Sequence, residues 1–415
     1  MSALLQSLVD GFPSDAPEDS AQRQALARAQ SLGLPAVRNE AWKYTSLRAL
    51  ERRSFGRAQA LPQLDAAALA LPSGPRLVFA NGLFHAGLSD VSGLPEGIGF
   101  RAAASAELVS SDIAASDNVF VELNAALATQ GAWLRVAANV QVETPLHLVF
   151  VGAPDASDIA SALRHRIELG EGASLALVEH HVSAAAHSNL ANGFVRIDLA
   201  KGATLHHLRI QRDATAATQF LRTQATLAGD ADYRRVDLEL GANLSRHELN
   251  VELTGANANL CANGVLFADG RRHLDTRLGI DHAAGDTACT LQWRALAKDR
   301  SRAVFHGGIL IREGSDGANA QLSNKNLSLS DDAEIDTQPV LEIHADEVQA
   351  AHGATVGSID PTALFYLRSR GLPEAQARAL LTAAFCREAI DVSLPDALRE
   401  IAIAALDAQL EGLSA

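Results

Sequence analysis

The chain has 415 residues, 47% of them hydrophobic, a formal charge of −14 and three cysteines. The acidic balance argues against a nucleic-acid partner, because phosphate binding needs a basic surface, and suits a large assembly that must stay dissolved. No run approaches the ~18 apolar residues of a membrane-spanning helix, and the opening MSALLQSLVDGF lacks the basic start and long apolar stretch of a signal peptide, so a cytoplasmic protein with no membrane partner is expected.

The first elements are helical. Leu4, Leu5 and Leu8 fall on one side of a helix. A second helix is predicted from about Ser20 to Leu32, stopped by Gly33 and Pro35. The stretch LPQLDAAALALPSGP reads as a connector, and RLVFANGLF as a strand followed by an Asn-Gly turn at Asn81 and Gly82. Region 1–75 is therefore an N-terminal helical region with a connector.

From about Trp133 to Val356 apolar and polar residues alternate with period two, as in LRVAANVQV and ALVEHHV, which is the strand signal. A pattern punctuates the strands. Leu169-Gly-Glu-Gly-Ala-Ser-Leu175 returns as Leu199-Ala-Lys-Gly-Ala-Thr-Leu205, with a looser version from Leu329 to Ile335. Gly131-Ala132, Gly229 and Gly255-Ala256 read as weaker copies. Such repeats point to stacked coils, a solenoid. The irregular spacing keeps a β-sandwich with glycine hairpins open beside it. The β-region is assigned to 76–357, including its lead-in segment.

Helices return after Asp360-Pro361, an N-cap with a proline at the first helical position. A second helix opens at Pro373-Glu374 and runs to about Arg387. A third covers roughly Pro395 to Leu410, with Ile403, Leu406 and Leu410 on one side. This C-terminal helical domain, 358–415, suits protein docking, capping of the β-stack, or both.

Several chemistries have no motif here. The chain lacks a phosphate-binding G-x-x-x-x-G-K-[ST] loop, a G-x-S-x-G elbow, an H-E-x-x-H pair and a G-x-G-x-x-G turn. Cys261, Cys289 and Cys386 form no C-x-x-C pair, so thiolates of this chain alone do not make a cluster or zinc site. Their sparse, odd count fits free thiols in a reducing compartment. His180-His181 and His206-His207 lie in strands, where neighbours point to opposite faces, so neither pair chelates one metal. A ladder of one histidine per coil stays open, with buried structural histidines the commoner case. His147, His165, His187, His247 and His273 have no ligand spacing and read as structural or solvated. His352 closes the β-region beside Gly353, where its imidazole has room to serve as a neutral nitrogen ligand; a lone histidine at a strand end is more often structural. Two other functions stay open on residues alone. One is a polysaccharide-acting solenoid enzyme using carboxylates such as Asp230, Asp232, Asp237 and Glu239. The other is a structural docking protein.

The stretch HGATVGSIDPTALFYLRSRGLPEAQARALLTAAF resembles the C-terminal signature of the SufB/SufD family of iron–sulfur assembly proteins. QWRALAKDRSRAVFHGGILI and ANAQLSNKNLSLSDDAEIDTQPVLE are similar to its central segments. Trp42-Lys43-Tyr44-Thr45 resembles its W-K-Y-T element, and FVELNAALATQGAWLRVAANVQVETPLHLVF its approach to the β-region. The resemblance covers most of the chain. It implies a right-handed parallel β-helix flanked by N- and C-terminal α-helical domains. It also implies a non-enzymatic scaffold that pairs with a SufB-like paralogue through the β-helix and with a SufC-like ATPase through the C-terminal helices. No nucleotide would bind this chain, and the isolated chain could form a homodimer. The SufB branch has a cysteine within the stretch that reads Ser323-Asn324-Lys325-Asn326 here, and H-E-A-T where this chain has His352-Gly353-Ala354-Thr355. Both departures resemble the SufD branch. By that resemblance His352 is the metal residue, helping hold a transient iron–sulfur cluster shared with the partner. Some relatives carry a cysteine two positions earlier, where this chain has Ala350.

Overall fold

The computed structural model describes residues 2–13, 16–17, 20–36, 38–108, 116–390 and 394–411. Its N-terminal part holds α1 (Ala3–Asp10) and α2 (Ala21–Leu32), then β1 (Arg76–Ala80), β2 (Leu83–Phe84), β3 (Ile98–Ala104), α3 (Ser105–Leu108) and α4 (Val119–Leu127). Ser2 and Ser20 cap α1 and α2 with their side chains, and Leu4, Leu5 and Leu8 bury the face of α1. Asn81 and Gly82 both have positive φ, 48° and 81°, which gives the β1–β2 hairpin the primed turn its Asn-Gly pair favours.

The strands that follow alternate between two sheets. They are β4 (Gln130–Val136), β5 (Gln141–Gly152), β6 (Ala160–Leu169), β7 (Ser174–Ser183), β8 (Leu190–Leu199), β9 (Thr204–Arg212), β10 (Thr218–Leu227) and β11 (Asp232–Glu239). The series continues through β12 (Leu244–Leu253), β13 (Asn259–Ala268), β14 (His273–His282), β15 (Ala288–Ala297), β16 (Arg302–Ile311), β17 (Asn319–Ser328), β18 (Glu334–Ile343) and β19 (Gln349–Gly357). The odd-numbered strands from β5 to β19 stack in parallel in one sheet, which β1 and β2 extend. The even-numbered strands from β4 to β18 stack in the other, with β3 antiparallel at its end. This is a parallel β-solenoid, and each coil places one strand in each sheet. Leucine, isoleucine and alanine from both sheets interdigitate between them, with Tyr233, Trp293 and Phe305 fully buried.

The repeat is real, but glycine is only one of its carriers. Each corner from an even strand to the next odd strand, from β4–β5 to β16–β17, holds a left-handed residue: Asn139, Gly172, Gly202, Asp230, Asn257, Asp286 and Gly317. That conformation turns the backbone so that the N–H of Gly172, Gly202 and Asp230 donates to the carbonyls of Lys201, Gly229 and Ala256 in the next coil. Asn and Asp tolerate this region better than other side-chain-bearing residues, so they alternate with Gly. Gly229 and Gly255 therefore precede the left-handed residue instead of being it. Gly131 is not a corner at all: it lies inside β4, where an added Cβ would sit 1.6 Å from the Arg164 carbonyl oxygen of β6.

The C-terminal helices are α5 (Pro361–Ser369), α6 (Glu374–Arg387) and α7 (Asp396–Leu410). Asp360 caps α5 through Thr362 N–H at 2.9 Å. Leu398, Ala402, Leu406 and Leu410 form the buried stripe of α7, with Ile403 at its flank. With Cys386, Ile390 and Leu394 they cover the outer face of the odd sheet at Val178, Leu208, Ile210, Val236 and Leu238. At the other end, α1, α2 and α4 cover the outer face of the even sheet.

Candidate functional site

The solenoid is closed unequally along its length. The N-terminal segment is fastened to the even sheet by the W-K-Y-T element. Trp42 packs against Phe120, whose ring stacks on Phe220 at a centroid distance of 3.9 Å. The Arg246 guanidinium lies 3.8 Å from the Trp42 ring centroid, a cation–π contact. Thr45 donates to Asp275 at 2.6 Å, and Arg246 holds the same carboxylate at 2.8 Å.

Among the described residues the last coil has no such cover. Strand β18 pairs with β16 only and β19 with β17 only, so each presents an unpaired edge. Val340, Ile343 and Val356 are 38%, 41% and 50% exposed there. His352 lies on β19, exposed, opposite Leu322 in the parallel register. It borders a trough of about 350 Å³ with Gln292, Gln321, Ser323, Lys325 and Thr355. Gly353 leaves the space beside it open. The stretch Ser323–Asn326 supplies support from below. Asn326 donates to the Thr355 carbonyl at 2.9 Å and to Asn324 Oδ1 at 2.6 Å, and Thr337 donates to that same oxygen at 2.7 Å. These amides tie β19 to the coil beneath and hold the strand that carries His352.

His352 is placed as a single accessible nitrogen donor. Among the described residues no three His, Cys, Asp or Glu side chains are arranged to hold a metal ion, so a complete site here would need ligands from another chain. The cysteines do not fill the gap: Cys261, partly exposed, lies on β13, which β15 and β17 separate from β19, and the other two are buried. Cys289 is buried 3.3 Å from His282 Nε2, and burial pushes its thiol up to about 12. Burial also raises Cys386, which lies between α6 and the odd sheet. Both are neutral thiols at physiological pH.

The paired histidines do point to opposite faces, but they do not line up between coils. The register sets His206 against Ala176 and His207 against Leu177. On the outer face His180 Nε2 instead meets His147 Nδ1 at 3.1 Å. The carboxylates considered for sugar chemistry are likewise divided. Asp237 and Glu239 lie inside the solenoid on Arg235 and Arg209, whereas Asp230 occupies a corner and Asp232 holds Arg234 on the outside.

That interior was not anticipated from the sequence. Glu179, His181, His207, Arg209, Arg235, Asp237, Glu239 and His247 are all buried. Burial alone would raise Asp237, but Arg235, together with His247 and Arg209, holds it down to about 2. Burial pushes His165 and His181 down to about 4, so both are neutral. The signal was present in the period-two pattern. In Arg235-Val236-Asp237-Leu238-Glu239 the apolar residues face out, under the C-terminal helices, and the charged ones face in. Alternation fixes which residues share a face; it does not say which face is inside when both are covered.

Comparison with known proteins adds the family context. The family model for the SufBD core domain of SUF-system FeS cluster assembly matches residues 152–385. The chain is 31% identical over 407 residues to the iron–sulfur cluster assembly protein SufD of Escherichia coli strain K12, covering 97% of this chain and 95% of that one. It is 31% identical over 414 residues to an iron–sulfur cluster assembly SufBD family protein of Synechocystis, covering 93% and 91%. A SufBD family protein of Mycobacterium tuberculosis strain H37Rv is 33% identical over 286 residues, 66% of this chain and 70% of that one.

Proposed function

Because the chain belongs to the SufB/SufD family, we propose that it is a non-enzymatic scaffold subunit for iron–sulfur cluster assembly, with His352 contributing one ligand to a cluster site shared with a partner chain. The observation that carries this reading is the uncovered last coil, which places His352 in the open on an unpaired edge strand. An edge strand offers backbone donors and acceptors to a second chain. A SufB-like paralogue with the same coil cross-section would extend both sheets through β18 and β19. The nascent cluster is cargo at that junction. His352 supplies a neutral imidazole nitrogen, and the thiolates come from the partner, since Cys289 and Cys386 are buried and protonated and Cys261 lies on β13, three strands from β19 in the sheet.

A SufC-like ATPase would dock on the C-terminal helices. Phe365 and Tyr366 on α5 are 73% and 56% exposed, and Leu380 on α6 is 50% exposed, an apolar group that no other described part of the chain covers. The partner would bring the nucleotide chemistry for which this chain has no motif. The function is tested by co-expressing the chain with SufB-like and SufC-like proteins and purifying on a tag carried by this chain. Both partners should be retained. Phe365→Ser with Leu380→Ser should release the ATPase and keep the paralogue. Failure of the wild-type chain to retain either partner would refute the scaffold reading.

A further inference from the structure

The first coils enclose a chamber of about 70 Å³ between the two sheets. Ser161, Ala191 and Gly193 line it from the even sheet, and in the next coil the register sets the larger Gln219 and Leu221 against Ala191 and Gly193. Opposite them stand Glu179 and His181 of β7. A second cavity, about 50 Å³, lies beneath α1 and shares Asn81, Gly82, Ser161 and Asn192 with the first, so the chamber abuts the junction with the N-terminal segment.

Glu179 is the unusual group. It is 1% exposed, and neither carboxylate oxygen has an aligned hydrogen bond. His207 and His181 bring Nε2 to 3.2 and 3.6 Å without the directionality of a hydrogen bond. His207 Nδ1 faces the Arg235 guanidinium at 3.3 Å; a guanidinium only donates, so that nitrogen accepts and the ring is neutral. The nearby guanidiniums are engaged elsewhere. Arg235 holds Asp237 with two nitrogens, and Arg209 holds Glu239 and the Gln219 side-chain oxygen. Three buried carboxylates thus share two guanidiniums; burial alone would raise Glu179, but His207, His181 and Arg235 hold it well below the usual carboxylate range, so it stands as an ionised group on the chamber wall. Asp213, also on the chamber wall, adds a carboxyl that burial pushes up to about 7. The rest of the lining is mixed: Phe150, Leu163 and Leu221 supply apolar surface, and His165, Asn192 and Gln219 are among its polar members.

We propose that this chamber is a binding site for a small organic cation, whose ammonium or amidinium head meets Glu179 and whose apolar body rests on Phe150, Leu163 and Leu221. At about 10–15 Å³ for each water-sized position, the volume suits a ligand of about four or five non-hydrogen atoms. A metal ion is the poorer fit, because among the described residues no three metal-binding side chains converge. The Phe150 ring adds a face for the cation to approach. The site is independent of His352 and of the cluster-assembly reading.

Calorimetric titration of the full chain with isopropylammonium, and with uncharged isopropanol as its counterpart, tests the proposal. Isopropylammonium should bind saturably at one site, and isopropanol about tenfold more weakly or worse, as expected for loss of a charge-assisted contact. Glu179→Gln should erase the preference for the charged ligand. Ala191→Leu, which fills the chamber from the opposite sheet and leaves every charged group in place, should abolish binding; it keeps the test valid if Glu179→Gln does not fold. Equal binding of the two ligands, binding unchanged by Ala191→Leu, or a crystal soaked in isopropylammonium that shows only water in the chamber would each overturn the proposal.

Discussion

Arg235 and Asp237 sit at the centre of the solenoid with no measurable exposure of either side chain. Replacing Arg235 with Met removes the partner and leaves a buried carboxylate, which should cost roughly 3–5 kcal/mol in chemical denaturation. The same interior sets the acid response. Burial pushes His165, His181 and His273 down to about 4, and His180 down to about 3. Unfolded histidines titrate near 6.5, so the unfolded chain takes up more protons than the native one between pH 6.5 and 4. Their contribution is fully present above pH 6.5 and is lost as pH falls through that window, at about 1.4 kcal/mol per pH unit for each histidine. Asp213, raised to about 7, and Glu239, also raised by burial, oppose the trend, but His147 and His282, likewise pushed down to about 4, add to it. Denaturation midpoints should therefore fall steeply from pH 6.5 to 4. A flat profile would show that these histidines are not neutral in the native state. His352 belongs to a different class: exposed, and without packing to lose, its replacement by Ala should move stability by no more than about 0.5 kcal/mol.

Elements show what was legible in the sequence and what was hidden. The helices ending near Leu32, Arg387 and Leu410 follow from caps, prolines and apolar spacing, and the structure places them within a residue or two of those signals. The solenoid was readable from its corners, although Asn139, Asp230, Asn257 and Asp286 do the work that a glycine repeat appeared to assign to Gly131, Gly229 and Gly255. His352 stood out by position and by resemblance, and its exposure on a terminal edge strand is consistent with that reading. The buried charges were not readable, because local alternation carries no sign of a helix that arrives from far along the chain. Helix α7 is that cover. Leu406→Ala should cost roughly 2–5 kcal/mol in the packing of α7, and hydrogen exchange should rise in α7 before it rises in β9 and β11. Trp42→Ala should loosen the N-terminal segment in the same selective way, with β13–β17 still protected. Uniform loss of protection in either variant would mean that these covers are integral to the solenoid instead of docked upon it.

At the scale of the whole molecule, two asymmetries govern behaviour. One end of the solenoid is covered by β3, the β1–β2 hairpin and the N-terminal helices, whereas β18 and β19 end in open edges. Val340→Lys with Val356→Lys should leave the far-ultraviolet circular dichroism and melting of the chain unchanged, while size-exclusion with light scattering shows loss of pairing with the SufB-like partner. No helix among the described residues is long and apolar enough to cross a membrane. The central claim is that His352 is a ligand on that shared junction. It is tested most directly by anaerobic cluster reconstitution on the purified three-protein complex, comparing wild type with His352→Ala by cluster absorbance per complex. The expected result is an intact complex with cluster formation strongly reduced in the variant. An intact His352→Ala complex that assembles clusters at the wild-type level would contradict it.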